Sequence, residues 1–371
     1  MQLSYVLPIR CDGSGHEHAE LAAYLSRTAS IAEVVVIDGS PEAVFRDHAA
    51  AFPDRIRHLA PHPDLAFANG KVNGVTTGVR EAMHELVVIA DDDVRYEEAE
   101  LRAVAELLRT SDLVVPQNVL DPDTWHALWD TARTLLNRAT HTDYPGTLGI
   151  RRSSFLSVGG YDGDVLFENL ELMRTITAAG GRVRRAPEII VRRLAPTLEV
   201  FLDQRVRQAY DDLAQPVRLM LSLSVLPLVG AAVHRRAWRG IGAAAAGLTL
   251  LAEVGRRRAG GRRAFSARAP LFAPAWVLER AVCSWVALGA RVIHGGARYR
   301  GRRLRRAATP LRVLRRRLGQ SARRAAAGAA WEPSQSGFVA ERPQRQRATT
   351  RRRTTRSHPD SSRMRIGPRT R

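Results

Sequence analysis

Lysine is almost missing from this chain: of its 57 basic side chains only Lys71 is a lysine, and the rest are arginines. Cysteine is scarce as well. Cys11 and Cys283 are the whole set; they make no disulfide framework and have no metal-ligand spacing, so no zinc site is expected and a reducing cytoplasm suits the chain. There is no G-x-x-x-x-G-K-[ST] and no G-x-G-x-x-G after the first apolar run, which excludes a P-loop and a dinucleotide fingerprint. No internal repeat is present. The N-terminal "MQLSYVLPIRCDGSG" has no basic segment ahead of its short apolar run, which Pro8 ends. It reads as a first β-strand and not as a signal peptide, so the catalytic part is expected to stay in the cytoplasm.

The net charge of +20 is confined to one end. Residues 297–371 hold 23 arginines against Glu332, Glu341 and Asp360, which is the entire excess, while the first 296 residues hold 34 basic and 34 acidic side chains. A folded, neutral body with a basic tail is therefore expected. Beyond about Arg305 the chain is rich in Arg, Ala, Ser, Thr and Pro, and a like-charged block of that kind should be disordered. Its expected target is the anionic cytoplasmic leaflet, at about 1 kcal/mol per basic side chain near the surface. Nucleic acid is the lesser partner, because "QRQRATTRRRTTR" has no interleaved aromatics for base stacking and offers only unspecific phosphate contact.

Hydrophobic residues make up 45% of the chain and charged residues 25%, ordinary for a globular core. Short apolar runs alternate with amphipathic segments: "SYVLPI", "HAELAAYLSRTA", "EVVVID", "SPEAVF", "RIRHLA", "VNGVTTGVREAMH", "ELVVIADDD", "YEEAELRAVAELLRT" and "DLVVPQ". That alternation argues for βαβ units and a mostly parallel sheet, an α/β domain over residues 1–215. In such sheets ligands bind beyond the carboxyl ends of the strands. There the sequence places Asp38 after "VVVI", the run Asp91, Asp92 and Asp93 after "VVIA", and Asn69, Gly70 and Lys71 before the third helix. Three consecutive carboxylates repel unless a cation sits among them, and hard oxygen ligands suit magnesium or manganese holding a diphosphate. The alternative is a solvated acidic turn that caps the next helix.

These residues resemble the family 2 glycosyltransferases with the GT-A fold, a Rossmann-like nucleotide-diphospho-sugar transferase domain. In that family an Asp ending the second strand holds the nucleoside, a later D-x-D holds the metal and the donor diphosphate, and an N-x-G-K stretch lies between them. The resemblance implies donor binding by Asp38, Lys71 and Asp91, with a divalent metal on Asp91 and Asp93. It continues through "GTLGIRRSSFLSVGGYDGDVLFENLELMRTITAAGG", similar to the family's acceptor segment, in which Gly159 and Gly160 suit a backbone turning through positive φ. Where the family usually shows Glu-Asp, this chain shows Glu168-Asn169, and an amide cannot act as a general base. Glu168 is the base the resemblance implies, with Glu171, Asp162 and Asp164 in reserve; Glu171 and Arg174 lie one helical turn apart and have the spacing of a surface pair. "FLDQRVRQAYDDL" is similar to the family's Q-x-x-R-W signature: Gln204 and Arg207 match, and Gln208 replaces the tryptophan. In the relatives this helix closes over the donor diphosphate, a bidentate task for a guanidinium.

Residues 216–296 read as a membrane-associated helical region. "LMLSLSVLPLVGAAV" and "GIGAAAAGLTLLAEV" are each 15 residues long, short of the roughly 20 that a straight spanning helix needs. A spanning hairpin puts Arg235, Arg236 and Arg239 outside, against the positive-inside bias; a shallow or re-entrant pair keeps them cytoplasmic. In "APAWVLERAVCSWVALGARVIHGG" the residues Arg280, Ser284, Arg291 and His294 share one helical arc, so an interfacial helix with headgroup-level tryptophans and snorkelling arginines is expected. The whole reads as an inverting, metal-dependent glycosyltransferase at the cytoplasmic face of the cell membrane. Its partners would be a nucleotide-sugar donor, a lipid or glycan acceptor and an anionic membrane surface. Two rivals are a nucleotidyltransferase using a similar sheet edge and a non-catalytic membrane scaffold of the same fold, the latter suggested by Asn169 and the missing tryptophan.

Overall fold

Alternate residues of the apolar runs go to opposite faces, and both faces are covered, which is why the runs become strands. In β1 (Leu3–Ile9), β2 (Glu33–Asp38) and β4 (Leu86–Ala90), the side chains of Tyr5, Leu7, Val34, Val36 and Val88 enter one core with α1 (Glu17–Thr28) and α4 (Glu98–Leu108). Val6, Val35, Ile37, Val87 and Ile89 enter a second core on the other face, with α3 (Gly70–Glu81) and α7 (Glu168–Ala178). The register is parallel, with Val6 opposite both Val35 and Ile89. The computed structural model describes residues 1–11, 17–140, 143–299 and 302–329. The chain divides into a unit Met1–Arg324 and a second unit Ala325–Arg371.

With β3 (Ile56–Leu59), β5 (Val94–Arg95), β6 (Leu113–Asp121), β7 (Thr147–Arg151) and β8 (Val183–Leu194), the sheet has eight strands in the order β3-β2-β1-β4-β7-β6-β8-β5. The α/β class expected from the sequence holds, and six of the strands run one way. β7 is antiparallel to β4 and β6, and β5 to β8. The order turns at β1, since β2 and β3 lie on one side of it and β4 on the other. A crevice therefore opens beyond the ends of β1 and β4. The helices α2 (Glu42–Ala51), α5 (Trp125–Thr140) and α6 (Arg152–Ser157) complete the covering, and α8 (Leu198–Tyr210) lies on α5. There Arg205, buried, donates bidentately to Asp130 at 2.8 and 3.0 Å.

Beyond α8 come α9 (Pro216–His234), α10 (Trp238–Arg257), α11 (Gly261–Ala264) and α12 (Ala273–Ile293). The segments Pro216–His234 and Ala269–Ile293 are long and apolar enough to cross a membrane; none of the first is buried, and a third of the second is. The two 15-residue apolar runs do not behave as an equivalent pair. α9 packs along α12 but buries no residue fully, whereas α10 packs its Ala252 with Leu128, Ala132 and Leu135 of α5. The α12 expectation is corrected in two respects: Arg280 does not snorkel, and Trp276 is buried against α5 and not at headgroup level. Arg280 is buried beside Asp212, with Trp276 under its guanidinium, and Ser284 is buried too. The outward arc is apolar, with Val282, Trp285, Val286, Val292 and Ile293 exposed.

The tail also begins later than expected. β9 (Ala297–Tyr299) pairs with β10 (Arg302–Leu304), and α13 spans Leu311–Ala329. The carbonyls of Arg306 and Ala307 accept from the Leu166 and Phe167 amides, and the Thr309 amide donates to the buried Glu171. Glu171 is thus no surface partner of Arg174, which donates instead to the Thr309 and Ala214 carbonyls. Backbone groups need partners wherever water is excluded, and this part of the tail supplies them. Residues 330–371, the remainder of the expected disordered segment, lie outside the described residues.

Candidate active site

The site begins with the N-terminus of α3. Buried Asn69 caps the helix by accepting from the Lys71 amide. Two glycines then let α3 lie close on β1: a Cβ at Gly74 would stand 2.7 Å from the Pro8 Cβ, and one at Gly78 would collide with Val6. That approach carries Lys71 to the end of β4, where its Nζ lies 2.6 Å from Asp91 Oδ1, 2.8 Å from Glu168 Oε1 and 3.3 Å from Asn169 Oδ1. Burial works against the Lys71 charge, but Asp91 and Glu168 outweigh it and raise the Lys71 pKa. For Asp91 burial is likewise outweighed, by Lys71 and Arg193, and its pKa is lowered.

Arg193 is the residue the sequence reading missed. The pairing of Val94 with Arg193 across β5 and β8 brings it over the acidic run. Its Nε lies 2.8 Å from Asp93 Oδ2 and its Nη2 3.3 Å from Asp91 Oδ2. Gly146 makes room, since a Cβ there would stand 2.5 Å from Asp91 Oδ2. The signal was the Arg192-Arg193 pair inside a strand, where alternation must send one arginine inward. Burial and the Asp91 charge raise the Asp93 pKa despite Arg193. The buried Oδ1 of Asp93 has no hydrogen-bond partner. An orphaned carboxylate oxygen next to a second carboxylate fits a hard divalent cation, so Asp91 and Asp93 suit the expected metal.

Asp38 ends β2 as expected, but its carboxylate is turned inward. It is 1% exposed. His48 Nδ1 lies 2.6 Å and His58 Nε2 3.1 Å from Oδ2, while the Ser40 amide donates to Oδ1 at 2.8 Å. Burial alone would raise Asp38, and the hydrogen bonds from His58, Ser40 and His48 overcome it and hold the pKa far below the usual carboxylate range. Asp38, His48 and His58 offer ligand atoms within 4.8 Å of one another, a second set able to hold a metal ion. The structure does not bring the Asp38 side chain to Lys71; its neighbours Ile37 and Gly39 line the cleft instead.

That cleft, about 820 Å³, is lined by Lys71, Asp91, Asp93, Glu168, Arg193, Gln204 and Arg207 among others. The Arg205–Asp130 anchor turns α8 so that Gln204 and Arg207 reach it. Among the described residues Arg207 pairs with no carboxylate; it lies over the Tyr299 ring at 4.9 Å. Gly159 and Gly160 take the expected positive φ, at 74° and 83°. Asp162 pairs with Arg306 at 2.9 Å, and Asp164 Oδ1 accepts from the Ala68 amide at 3.0 Å. A second residue missed by the sequence reading is Asp211. Its Oδ1 is buried without a hydrogen-bond partner, and burial pushes its pKa up to about 7, with Glu168 and Asp212 adding to the shift against Arg207 and Arg280.

Residues 41–130 match the family model described as glycosyl transferase family 21. The motifs resembled family 2, and a glycosyltransferase is common to both readings. The family 21 segment contains Lys71, Asp91 and Asp93; Asp38 precedes it, and Glu168, Gln204 and Arg207 follow it. Among solved structures the chain is similar to the mannosyltransferase PcManGT from Pyrobaculum calidifontis in complex with GDP-Man and Mn2+. The identity is 17%, over 90% of this chain and 81% of that one, with a TM-score of 0.43. It is also similar to glucosyl-3-phosphoglycerate synthase from Mycobacterium tuberculosis in complex with Mn2+, uridine-diphosphate and phosphoglyceric acid. There the identity is 17%, over 56% of this chain and 76% of that one, with a TM-score of 0.39. No curated protein matches the sequence.

Proposed function

We propose that the protein is an inverting glycosyltransferase that moves a sugar from a nucleotide-sugar donor to the hydroxyl of a lipid or glycan acceptor at the cytoplasmic face of the membrane. The observation that carries this reading is the convergence of Lys71, Asp91 and Glu168, from three separate motifs, on one cleft at the sheet's crevice. Residues 1–215 would form the catalytic domain and 216–296 the membrane-associated part.

Asp91 and Asp93 would hold magnesium or manganese. Such an ion, when bound, neutralises the charge that gathers on the departing diphosphate. Arg207, uncommitted to any described carboxylate, supplies a planar donor for the same diphosphate, and Gln204 lies one turn away on α8. Glu168 would accept the proton of the acceptor hydroxyl. Its Oε1 is held by Lys71, and its Oε2 has no hydrogen bond among the described residues, so one oxygen is steered while the other is open to the acceptor. Attack from that side, opposite the leaving diphosphate, inverts the anomeric carbon. Asp38 would act at one remove, by holding the β2 end against His48 and His58 where Gly39 borders the cleft.

The membrane reading rests on α9, which is apolar with no residue fully buried, and on the outward arc of α12 beside it. Arg235 and Arg236 occupy the turn between α9 and α10 and Arg239 the first turn of α10, which supports a pair lying in the interface. The test is binding of uridine, guanosine and thymidine diphosphates to the purified protein with and without manganese, with Lys71→Ala and Asp93→Ala alongside. Metal-dependent binding of one nucleotide, weakened by both substitutions, is expected; NMR of the product of a membrane acceptor would then show the inverted anomer. Binding of no nucleotide in detergent or lipid sinks the reading.

A further inference from the structure

Behind Glu168 the cleft runs into a smaller pocket of about 150 Å³, which shares Asp91, Glu168 and Arg207 with the cleft and adds arginines that belong to none of the expected motifs. Beside Arg193 and Arg207, which it shares with the cleft, it is lined by cations from three further helices: Arg133 from α5, Arg218 from the first turn of α9 and Arg280 from α12. Arg218 Nε and Arg280 Nε share one buried carboxylate, Asp212, at 3.1 and 3.4 Å. Arg133 makes no salt bridge within 4 Å among the described residues, although its charge acts on Asp130 one turn away, and its Nε is buried without a hydrogen bond. Arg133 and Arg218 both lie close enough to Arg280 to repel it. The pocket's lining carries five arginines against four carboxylates, Asp91, Glu168, Asp211 and Asp212, and with the proton kept on Asp211 the positive charge is in excess, which calls for an anion.

We infer that this pocket binds the phosphate group of the acceptor, so that the acceptor is a hydroxyl-bearing phosphate ester. The inference rests on the transferase reading only in calling the ligand an acceptor. The pocket is small enough to take a phosphate group and little more. Guanidinium forks suit phosphate oxygens, and Arg133, whose Nε–H has no hydrogen-bond partner, lines the pocket. Glu168 lines the same wall, so a hydroxyl a few bonds from the anchored phosphate comes within reach of it. Asp211 also lines the pocket; while it keeps its proton, favoured by its burial, it donates to a phosphate oxygen and does not repel it. Arg218 and Arg280 stand on α9 and α12, whose outer faces are apolar, so a lipid head group can enter with its chains left along those helices. A free phosphate ester presents the same chemistry.

The experiment is calorimetric titration of the full chain in detergent with dihexanoyl-phosphatidylglycerol, inorganic phosphate and dihexanoylglycerol. Each is run on wild type, Arg133→Met and Arg218→Met, with nucleoside diphosphate binding and the melting temperature measured on the same samples. Expected is binding of the phosphatidylglycerol, weakened about tenfold by either substitution, no binding of dihexanoylglycerol, and nucleoside diphosphate affinity of Arg218→Met within about twofold of wild type. Inorganic phosphate binding as tightly as the lipid, with the same arginine dependence, supports the anion site and assigns it to a soluble ester. Equal binding of the neutral lipid, or phosphate binding untouched in both well-folded variants, overturns the inference. Failure of nucleotide binding with phosphate binding intact would remove the transferase reading and leave the pocket standing.

Discussion

Lys71 Nζ joins Asp91 Oδ1 at 2.6 Å to Glu168 Oε1 at 2.8 Å, linking the end of β4 to the start of α7 through one ammonium. A point charge on a flexible stem fits between two carboxylates that a planar fork would push apart, which accounts for a lysine here in a chain of arginines. Lys71→Met leaves Glu168 without its cation and Asp91 with Arg193 alone. We expect nucleoside diphosphate affinity to fall at least tenfold, kcat/KM by about 100- to 1000-fold, and stability by on the order of 1–3 kcal/mol, less than for a fully buried pair. Lys71→Arg should not rescue kcat/KM. Wild-type kinetics in either variant would remove the linkage from the mechanism.

Asn169 stands where the resembled family has aspartate, and on sequence grounds Asn169→Asp looks like a repair that would raise activity in a competent site. The structure argues otherwise. Asn169 Nδ2 donates to the Pro145 carbonyl at 2.9 Å while its Oδ1 accepts from Lys71. An aspartate keeps the second contact and turns the first into a carboxylate facing a carbonyl oxygen. Asn169→Asp should therefore lose about 1–2 kcal/mol in denaturant unfolding and gain no transfer activity. An increase in kcat would show that the amide is a defect and not a part.

What could be read in advance follows the range of the interactions. The strands were legible because burial on both faces leaves continuous apolar runs; Asp91 was legible at the end of such a run, Lys71 at the start of the helix that follows another, and Glu168 through the resemblance of its segment. β5 was not, since two residues carry no periodicity. Arg193 matters only through the β5–β8 register, and His48 and His58 reach Asp38 from α2 and β3, so the inward turn of that carboxylate had no local sign. For α12 the pattern revealed two faces but not which one meets the protein. A polar arc usually faces water, and here Asp212 draws Arg280 inside.

Arg193 holds the two carboxylates assigned to the metal, at 2.8 Å from Asp93 and 3.3 Å from Asp91. Its charge offsets the repulsion between them and competes with a divalent ion for the same oxygens. Arg193→Met should lower the melting temperature without metal. It should also enlarge the upward shift produced by 1 mM manganese, as expected if manganese affinity rises about tenfold, which adds about 1.4 kcal/mol of linked stability. Thermal scans with and without manganese decide it. An unchanged or smaller shift would mean that Arg193 does not compete for the ion.

Asp211 gives a pH dependence whose sign can be worked out. Its pKa is near 7 in the folded protein, through burial first, against about 4 in an unfolded chain. Below pH 4 both states hold the proton and the residue contributes nothing. Between pH 4 and 7 the folded state keeps a proton that the unfolded state releases, so this group lowers stability as pH rises, and the loss is complete above 7. Asp211→Asn removes the titration. The stability difference between variant and wild type should thus be smallest near pH 4 and grow in the variant's favour by on the order of 1–3 kcal/mol by pH 8, read from urea unfolding at several pH values. A difference that is flat with pH would mean that Asp211 ionises as an ordinary surface carboxylate, and its place beside the arginines would then be that of a counter-ion.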